Sequence, residues 1–198
     1  KNKGISGVDN ISIRNFGIHP TNSNIVFAGA EVTTGNLGIA FDKTKGKIFK
    51  TEDGGENWRC VWEGDNLTRF VLFNYKQPEI LYASTGIFDR EAHNENGVGI
   101  LKSTDGGENW FTINNGIPDT KGNRFAGFLE MHPTDPDTLF MASGNNSKGN
   151  GGIFRTLSGG KKWESLLTDD IFTVVTISQS DPDVIYAGSP GAFYRSDD

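Results

Sequence analysis

Short runs of apolar residues recur down this chain, separated by turn-forming Gly, Pro, Asn and Asp. The runs come in sets. The first run of each set is Ile13–His19, Arg69–Phe73, Phe125–Met131 or Phe172–Ile177. The second is Ile25–Gly29, Ile80–Ser84, Leu139–Ser143 or Val184–Gly188. The third is Lys47–Lys50, Gly99–Lys102, Gly152–Arg155 or Ala192–Arg195, and a fourth begins at Trp58, Trp110 and Trp163. β-Branched and aromatic residues dominate the runs, and no window shows the period of a helix. The pattern predicts an all-β chain whose units are four short antiparallel strands, A to D, in up-and-down order.

The connections repeat as well. Between strands A and B lies His19-Pro-Thr-Asn-Ser-Asn24, Asn74-Tyr-Lys-Gln-Pro-Glu79, His132-Pro-Thr-Asp-Pro-Asp137 or Ser178-Gln-Ser-Asp-Pro-Asp183. Pro fixes φ and Asx side chains close their own turns, so these read as hairpin turns, with His19 and His132 as turn residues. Between strands C and D one phrase comes back three times. It is Thr51-Glu-Asp-Gly-Gly-Glu-Asn-Trp58, Ser103-Thr-Asp-Gly-Gly-Glu-Asn-Trp110 and Thr156-Leu-Ser-Gly-Gly-Lys-Lys-Trp163, with tryptophans 52 and then 53 residues apart.

A unit of roughly 50 residues holding four strands is the size of one β-propeller blade. The expected divisions are 1–10 (tail of a preceding blade), 11–64, 65–118, 119–168, and 169–198 as an incomplete blade. Lys3-Gly-Ile5 matches Asn115-Gly-Ile117, and Ser196-Asp-Asp198 starts a fourth phrase, so the expectation is an arc of about three and a half blades of a larger propeller. Further blades would come from the rest of the chain or from another chain, because an open arc exposes a strand edge.

The recurring phrase resembles the Asp-box of the bacterial neuraminidase (BNR) repeat, in a form one residue shorter before the tryptophan. The matching positions are Thr51, Asp53, Gly55 and Trp58, then Ser103, Asp105, Gly107 and Trp110, then Thr156, Ser158, Gly160 and Trp163. The third set departs, with Ser158 in place of Asp. The short form is similar to that of family 74 glycoside hydrolases, sortilin-type receptors and photosystem II assembly factors, within the wider sialidase superfamily. The resemblance covers nearly the whole chain and implies a propeller. It implies no single activity, since enzymes and non-enzymes share the box. The Phe-Arg-Ile-Pro segment of sialidases is absent. Physically the box suits a structural role: Gly-Gly takes positive φ, the Asp carboxylate accepts turn N–H groups, and the Trp plugs an apolar site. A Ca²⁺ or phosphate loop is the weaker reading, because a Ca²⁺ loop needs more ligands at set spacing.

Composition and charge narrow the picture. A net charge of −6 over 198 residues, with scattered Lys and Arg, argues against nucleic acid and anionic membranes as partners. No apolar stretch approaches a membrane span. The single cysteine, Cys60, has no intrachain partner and reads as a small buried hydrophobe. Asn10, Asn66 and Asn145 head glycosylation sequons, triplets that also arise by chance; the expected location is extracellular, periplasmic or cell-surface.

Alternation places the A–B and C–D turns on one face and the B–C and D–A connections on the other. The second face varies in length, and loops on a rigid scaffold carry function. The candidate binding residues are Glu31, Phe41, Phe88, Arg90, His93 and Arg124, with Asp119 and Lys121 near the last. Asp42, Asp89 and Glu91 are the candidate catalytic carboxylates, since paired acids carry out glycoside hydrolysis. No metal-ligand spacing or cofactor motif is present, so none is expected. Arg14, Arg69 and Arg124 recur at 55-residue spacing near strand A, which suggests a basic ring around the channel. The functions in view are a scaffold that binds protein or carbohydrate, and a glycoside hydrolase of the xyloglucanase or sialidase type.

Overall fold

Fifteen strands make up the regular structure of the computed structural model, which describes residues 4–5, 11–33, 44–86, 97–120, 122–146 and 148–197. The first sheet is β1 (Ile11–Ile18), β2 (Val26–Thr33), β3 (Thr44–Thr51) and β4 (Arg59–Asp65). The second is β5 (Thr68–Phe73), β6 (Leu81–Thr85), β7 (Gly99–Ser103) and β8 (Phe111–Thr112). The third is β9 (Ala126–Met131), β10 (Leu139–Asn145), β11 (Gly149–Thr156) and β12 (Glu164–Asp170). The fourth is β13 (Val174–Ile177), β14 (Ile185–Gly188) and β15 (Phe193–Ser196). Every sheet is an antiparallel meander in chain order. The strands A of successive sheets, β1, β5, β9 and β13, pack beside one another, so the sheets follow each other like blades around an axis.

The core lies between sheets. Phe27 and Ile48 of the first sheet meet Val71, Leu81, Ala83 and Leu101 of the second. Tyr82 and Ile100 of the second meet Leu139, Met141, Phe154 and Trp163 of the third. Phe140 and Ile153 of the third meet Val175, Ile177 and Ala187 of the fourth. A strand in the middle of such a stack is covered on both faces, so β6 and β10 are buried along their whole length, with Ser84, Thr85, Ser143 and Asn145 buried at their ends. Among the described residues the first and fourth sheets each pack against one other sheet. Ile13, Phe16 and Ile18 of β1 are exposed, as are Val174, Tyr186 and Phe193 of the fourth sheet. Cys60, expected to be buried, is exposed as well. It sits on the outermost strand of its sheet, where nothing among the described residues packs outside it; its thiol lies 3.2 Å from the Trp62 carbonyl.

Strand A carries a one-residue bulge at the same level in three sheets. The skipped residues are Arg14, Arg69 and Gly127. This corrects the expected ring of arginines. Arg124 lies three residues ahead of the third bulge, in the connection from strand D, so equal spacing in sequence does not mean equal position.

The A–B turns use one design with four side chains. His19 Nδ1 accepts from the amides of Thr21 and Asn22, at 3.2 Å each. Asn74 Oδ1 accepts from Lys76 and Gln77 at 2.9 Å. His132 Nδ1 accepts from Thr134 and Asp135 at 3.3 and 3.2 Å, and Ser178 Oγ accepts from Asp181 at 3.2 Å. The shared requirement is a side-chain acceptor on the first residue of the turn, facing amides two or three residues on. His132→Asn, which supplies the oxygen seen at Asn74, is therefore expected to keep stability, while His132→Ala lowers it by ~1 kcal/mol by leaving two turn amides to water. Urea unfolding of the two variants checks this; equal loss in both would refute the acceptor role.

Candidate functional site

The acidic C–D turns come first, because they hold the most conspicuous carboxylates. In the first, Thr51 Oγ1 donates to Asp53 Oδ1 at 2.8 Å and accepts the Gly55 amide at 3.0 Å. Asp53 also accepts the amide and the side-chain NH₂ of Asn57, at 2.9 and 2.7 Å. The second turn copies it: Ser103 to Asp105 at 2.8 Å, and Asn109 to both oxygens of Asp105 at 3.0 and 2.7 Å. A further amide, that of Glu108, donates to Asp105 at 3.1 Å. These carboxylates are exposed, yet their lone pairs are committed to the turn. Each turn is also tied to the A–B turn of its own sheet, by Gly54 N to Asn24 O, Gly106 N to Glu79 O and Gly159 N to Asp137 O, at 2.8–3.0 Å. The geometry is that of a clasp.

The third turn keeps only part of it. Thr156 Oγ1 still accepts the Ser158 and Gly160 amides, at 3.2 and 3.1 Å, but Ser158 offers no carboxylate. The tryptophan differs as well. In the first two turns the indole N–H donates within the turn, Trp58 to Gly55 O at 3.2 Å and Trp110 to Gly107 O at 3.0 Å. Trp163 instead donates across to Ile113 O of the preceding sheet at 2.7 Å, and its amide to Asn115 O at 2.8 Å.

A second repeated group was missed in the sequence reading; it reaches the next sheet from the first two sheets, whereas Arg155 binds Glu164 of its own sheet at 2.7 Å. The residue before each clasp is basic: Lys50, Lys102, Arg155 and Arg195. Lys50 Nζ lies over the Phe27 ring and Lys102 Nζ over Tyr82, with Arg195 over Tyr186. Lys50 reaches Glu108 of the next sheet at 2.7 Å, where Arg59 also binds. Lys102 donates to Gly159 O of the next sheet at 2.8 Å. Burial pulls the Lys102 ammonium down from its usual pKa and pushes the Tyr82 phenol up to about 12. The signal was legible: a cation directly ahead of each Thr or Ser of the recurring phrase.

Acid should loosen the clasps. The amide and side chain of Asn57, with Thr51, hold Asp53 below the carboxylate range, and those of Asn109, with Ser103, hold Asp105 at about 2. Arg59 and then Lys50 hold Glu108 at about 2. Folded-state values below the unfolded ones, near 3.9 for Asp and 4.3 for Glu, give stability that is complete above about pH 5 and is lost as pH falls towards 2. The melting temperature is therefore expected to be level from pH 7 to 5 and to drop below pH 4, with a shallower drop in Asp105→Asn combined with Glu108→Gln. An unchanged slope in that double variant would remove these groups as its cause.

The opposite face holds the ends of strands B and the starts of strands A. Glu31, expected in an open loop, lies within β2 and is only 1 % exposed, paired with Arg14. Its ladder partner is Ser12, whereas the second and third sheets place Gly86 against Leu67 and Gly144 against Phe125 at that level. Leu67 and Phe125 form a small buried apolar pair. The first sheet thus carries an ion pair where its neighbours carry glycine and an apolar residue. Arg124 holds Asp119 at 3.0 Å through Nη1, and among the described residues its buried Nε has no hydrogen-bond partner. Thr85 donates to Gly99 O at 2.8 Å and Ser143 to Gly152 O at 3.1 Å, so the strand ends are pinned together. Phe41, Asp42, Phe88, Asp89, Arg90, Glu91, His93 and Lys121 lie outside the described residues. Among the described residues no group of three His, Cys, Asp or Glu side chains is placed to hold a metal, and no helix is long and apolar enough to cross a membrane.

The B–C connections at this face differ widely. Ten residues join β2 to β3, thirteen join β6 to β7, three join β10 to β11 and four join β14 to β15.

No protein-family profile and no curated protein matches the chain. Solved structures do. The chain is similar to a GH74 enzyme of Niastella koreensis, with 20 % identity and a TM-score of 0.63 over 89 % of this chain and 26 % of that one. It is similar to Sqt1 of Chaetomium thermophilum bound to the N-terminus of a ribosomal protein, with 14 % identity and a TM-score of 0.59 over 100 % of this chain and 48 % of that one. It is also similar to YCF48 of Cyanidioschyzon merolae, with 13 % identity and a TM-score of 0.52 over 98 % of this chain and 58 % of that one. The chain thus spans about a quarter to under three fifths of these structures. Likeness at such identities shows the fold alone: the four sheets are consecutive blades of a β-propeller.

Proposed function

We propose that the chain belongs to a binding propeller that presents its B–C and D–A connections to a protein partner. The observation that carries this is the contrast between the two faces. One face repeats a single clasp-and-turn design. The other mounts connections of three to thirteen residues on pinned strand ends. Invariant support beneath variable loops is the arrangement of a recognition surface. Glu31, an acid at that rim, is buried against Arg14 and so is tied into the scaffold. The likeness to Sqt1, solved with a bound protein segment, supports the same reading.

The competing reading is a glycoside hydrolase using Asp42, Asp89 or Glu91. Two experiments separate them. Photo-crosslinkers at Thr120 or Asn146, on the loop face, are expected to trap a partner protein, while the same probe at Thr134 or Ser180, on the turn face, traps none. Xyloglucan, other β-glucans and sialosides are expected to survive incubation with the chain. Turnover abolished by Asp42→Ala or Asp89→Ala, or capture that is equal from both faces, would overturn the proposal.

A further inference from the structure

A buried polar seam lies between the first and second blades, just beneath the loop face. Gly29, Glu31 and Gly46 of the first sheet face it. Gly29 and Glu31 are two apart on β2 and so share a sheet face. Gly46 pairs with Glu31 across the β2–β3 ladder, which puts it on the same side. Asn66 and Thr68 close the seam from the second blade. A Cβ on Gly46 would stand 2.2 Å from the Asn66 carbonyl oxygen and 3.0 Å from Thr68 Oγ1, and one on Gly29 would stand 3.1 Å from the Thr68 carbonyl oxygen. Asn66 and Thr68 are wholly buried, and Glu31 is 1 % exposed.

The chain itself does not serve the polar atoms gathered there. Neither Nδ2 nor Oδ1 of Asn66, nor Oγ1 of Thr68, has a hydrogen-bond partner. Glycine at 29 and 46 offers them no side chain. The Glu31 carboxylate, paired with Arg14, faces the same seam but makes no hydrogen bond to them. Native interiors rarely leave a buried amide or hydroxyl in that state. The positive φ of Asn66, +70°, accounts for an asparagine at that position but not for the burial of its amide. Thr68 lies in β5 and has no such reason to be there. The next junction solves the same level differently, with the buried apolar pair Leu67 and Phe125 and with Gly86 in place of Glu31.

We propose that this seam is a binding site for internal water, which bridges Asn66 and Thr68 to the Glu31 carboxylate. Polar groups that face one another beyond direct hydrogen-bond reach are commonly joined in this way. Water fits the donor set: Asn66 Oδ1 calls for a donor, Nδ2 for an acceptor, and the Thr68 hydroxyl takes either role. A metal cation would serve the oxygens alone, leave Nδ2 unmet, and face the Arg14 guanidinium that already neutralises Glu31. The bridge ties the ion pair of the first blade to the second blade directly under the variable connections.

A crystal structure of the chain grown in rubidium chloride, with rubidium as the cation probe, tests the site directly. A water peak within hydrogen-bond distance of the Asn66 and Thr68 side chains is expected, without an anomalous signal. In solution, oxygen-17 relaxation dispersion counts long-lived waters. The count is expected to fall in Thr68→Val, which keeps the side-chain shape, and in Asn66→Gly, which keeps the positive φ but removes the amide. Urea unfolding supplies an opposing sign. A hydroxyl that holds a water makes Thr68→Val less stable, raising its unfolding constant roughly two- to tenfold, whereas an unserved hydroxyl makes the same variant more stable. A stabilised Thr68→Val with an unchanged water count, a rubidium peak in the seam, or direct bonding of Asn66 and Thr68 to Glu31 with no density between them would each overturn the proposal.

Discussion

Trp163→Ala is expected to be the most damaging single truncation in the chain, at about 3–5 kcal/mol. Trp163 is 1 % exposed and shares a cluster with Tyr82, Ile100, Leu139, Met141 and Phe154, drawn from two sheets. Removing it opens a cavity at the junction of the second and third blades. It also takes away the donor to Ile113 O, a bond of 2.7 Å that crosses the same junction. For a domain of this length the melting temperature should fall on the order of 10 °C. The three tryptophans give an internal scale. Trp110 is partly buried and donates within its own turn, so Trp110→Ala should cost less than Trp163→Ala. Trp58 packs only at the margin of a cluster of Ala28, Ala30 and Phe49, beside the exposed Phe16, and should cost least. Urea unfolding of the three variants tests the order. A Trp58→Ala variant as unstable as Trp163→Ala would show that the turn, and not the junction, sets the energy.

Gly107→Ala is expected to cost about 2–4 kcal/mol, and its neighbour Gly106→Ala only ~1 kcal/mol. Both residues have positive φ, +83° and +70°, so both substitutions carry the strain of a side chain in the left-handed region. They differ in what a new methyl group would meet. At Gly106 there is nothing within 4 Å. At Gly107 the methyl would stand 2.3 Å from Cζ of Phe27, which is fully buried in the preceding sheet. A core ring cannot retreat without opening a void, so the clash adds to the strain. The pair therefore separates conformational cost from packing cost within one dipeptide. Equal destabilisation by the two variants, measured by urea unfolding, would remove the close approach as a cause. Because Gly107 belongs to the first junction and Trp163 to the second, the two effects should add.

Much of this was readable from the chain. The spacing of Trp58, Trp110 and Trp163 gives the repeat, the apolar runs give four strands per unit, and Pro and Asx residues give the A–B turns. The third clasp marked itself by Ser158. Other features escaped. Arg124 shares a 55-residue interval with Arg14 and Arg69, yet β8 stops at Thr112, the connection after it is long, and the bulge falls on Gly127 instead. Glu31 sits in a polar stretch that reads as loop, but β2 runs on to Thr33 and buries it against Arg14. Cys60 lies in an apolar run, but on a strand outside which nothing among the described residues packs.

The sequence by itself determined the local design: strand period, turn chemistry and the repeat of one clasp, each set by residues close together in the chain. Only the tertiary structure decided which side chains meet between sheets. Trp163 bonding to Ile113, Lys50 reaching Glu108, and Ile153 packing with Ala187 all join residues of different units. The physical reason is that a blade holds its own backbone hydrogen bonds but must bury its apolar faces against its neighbours. Those contacts depend on how one unit stacks on the next, which no single unit encodes.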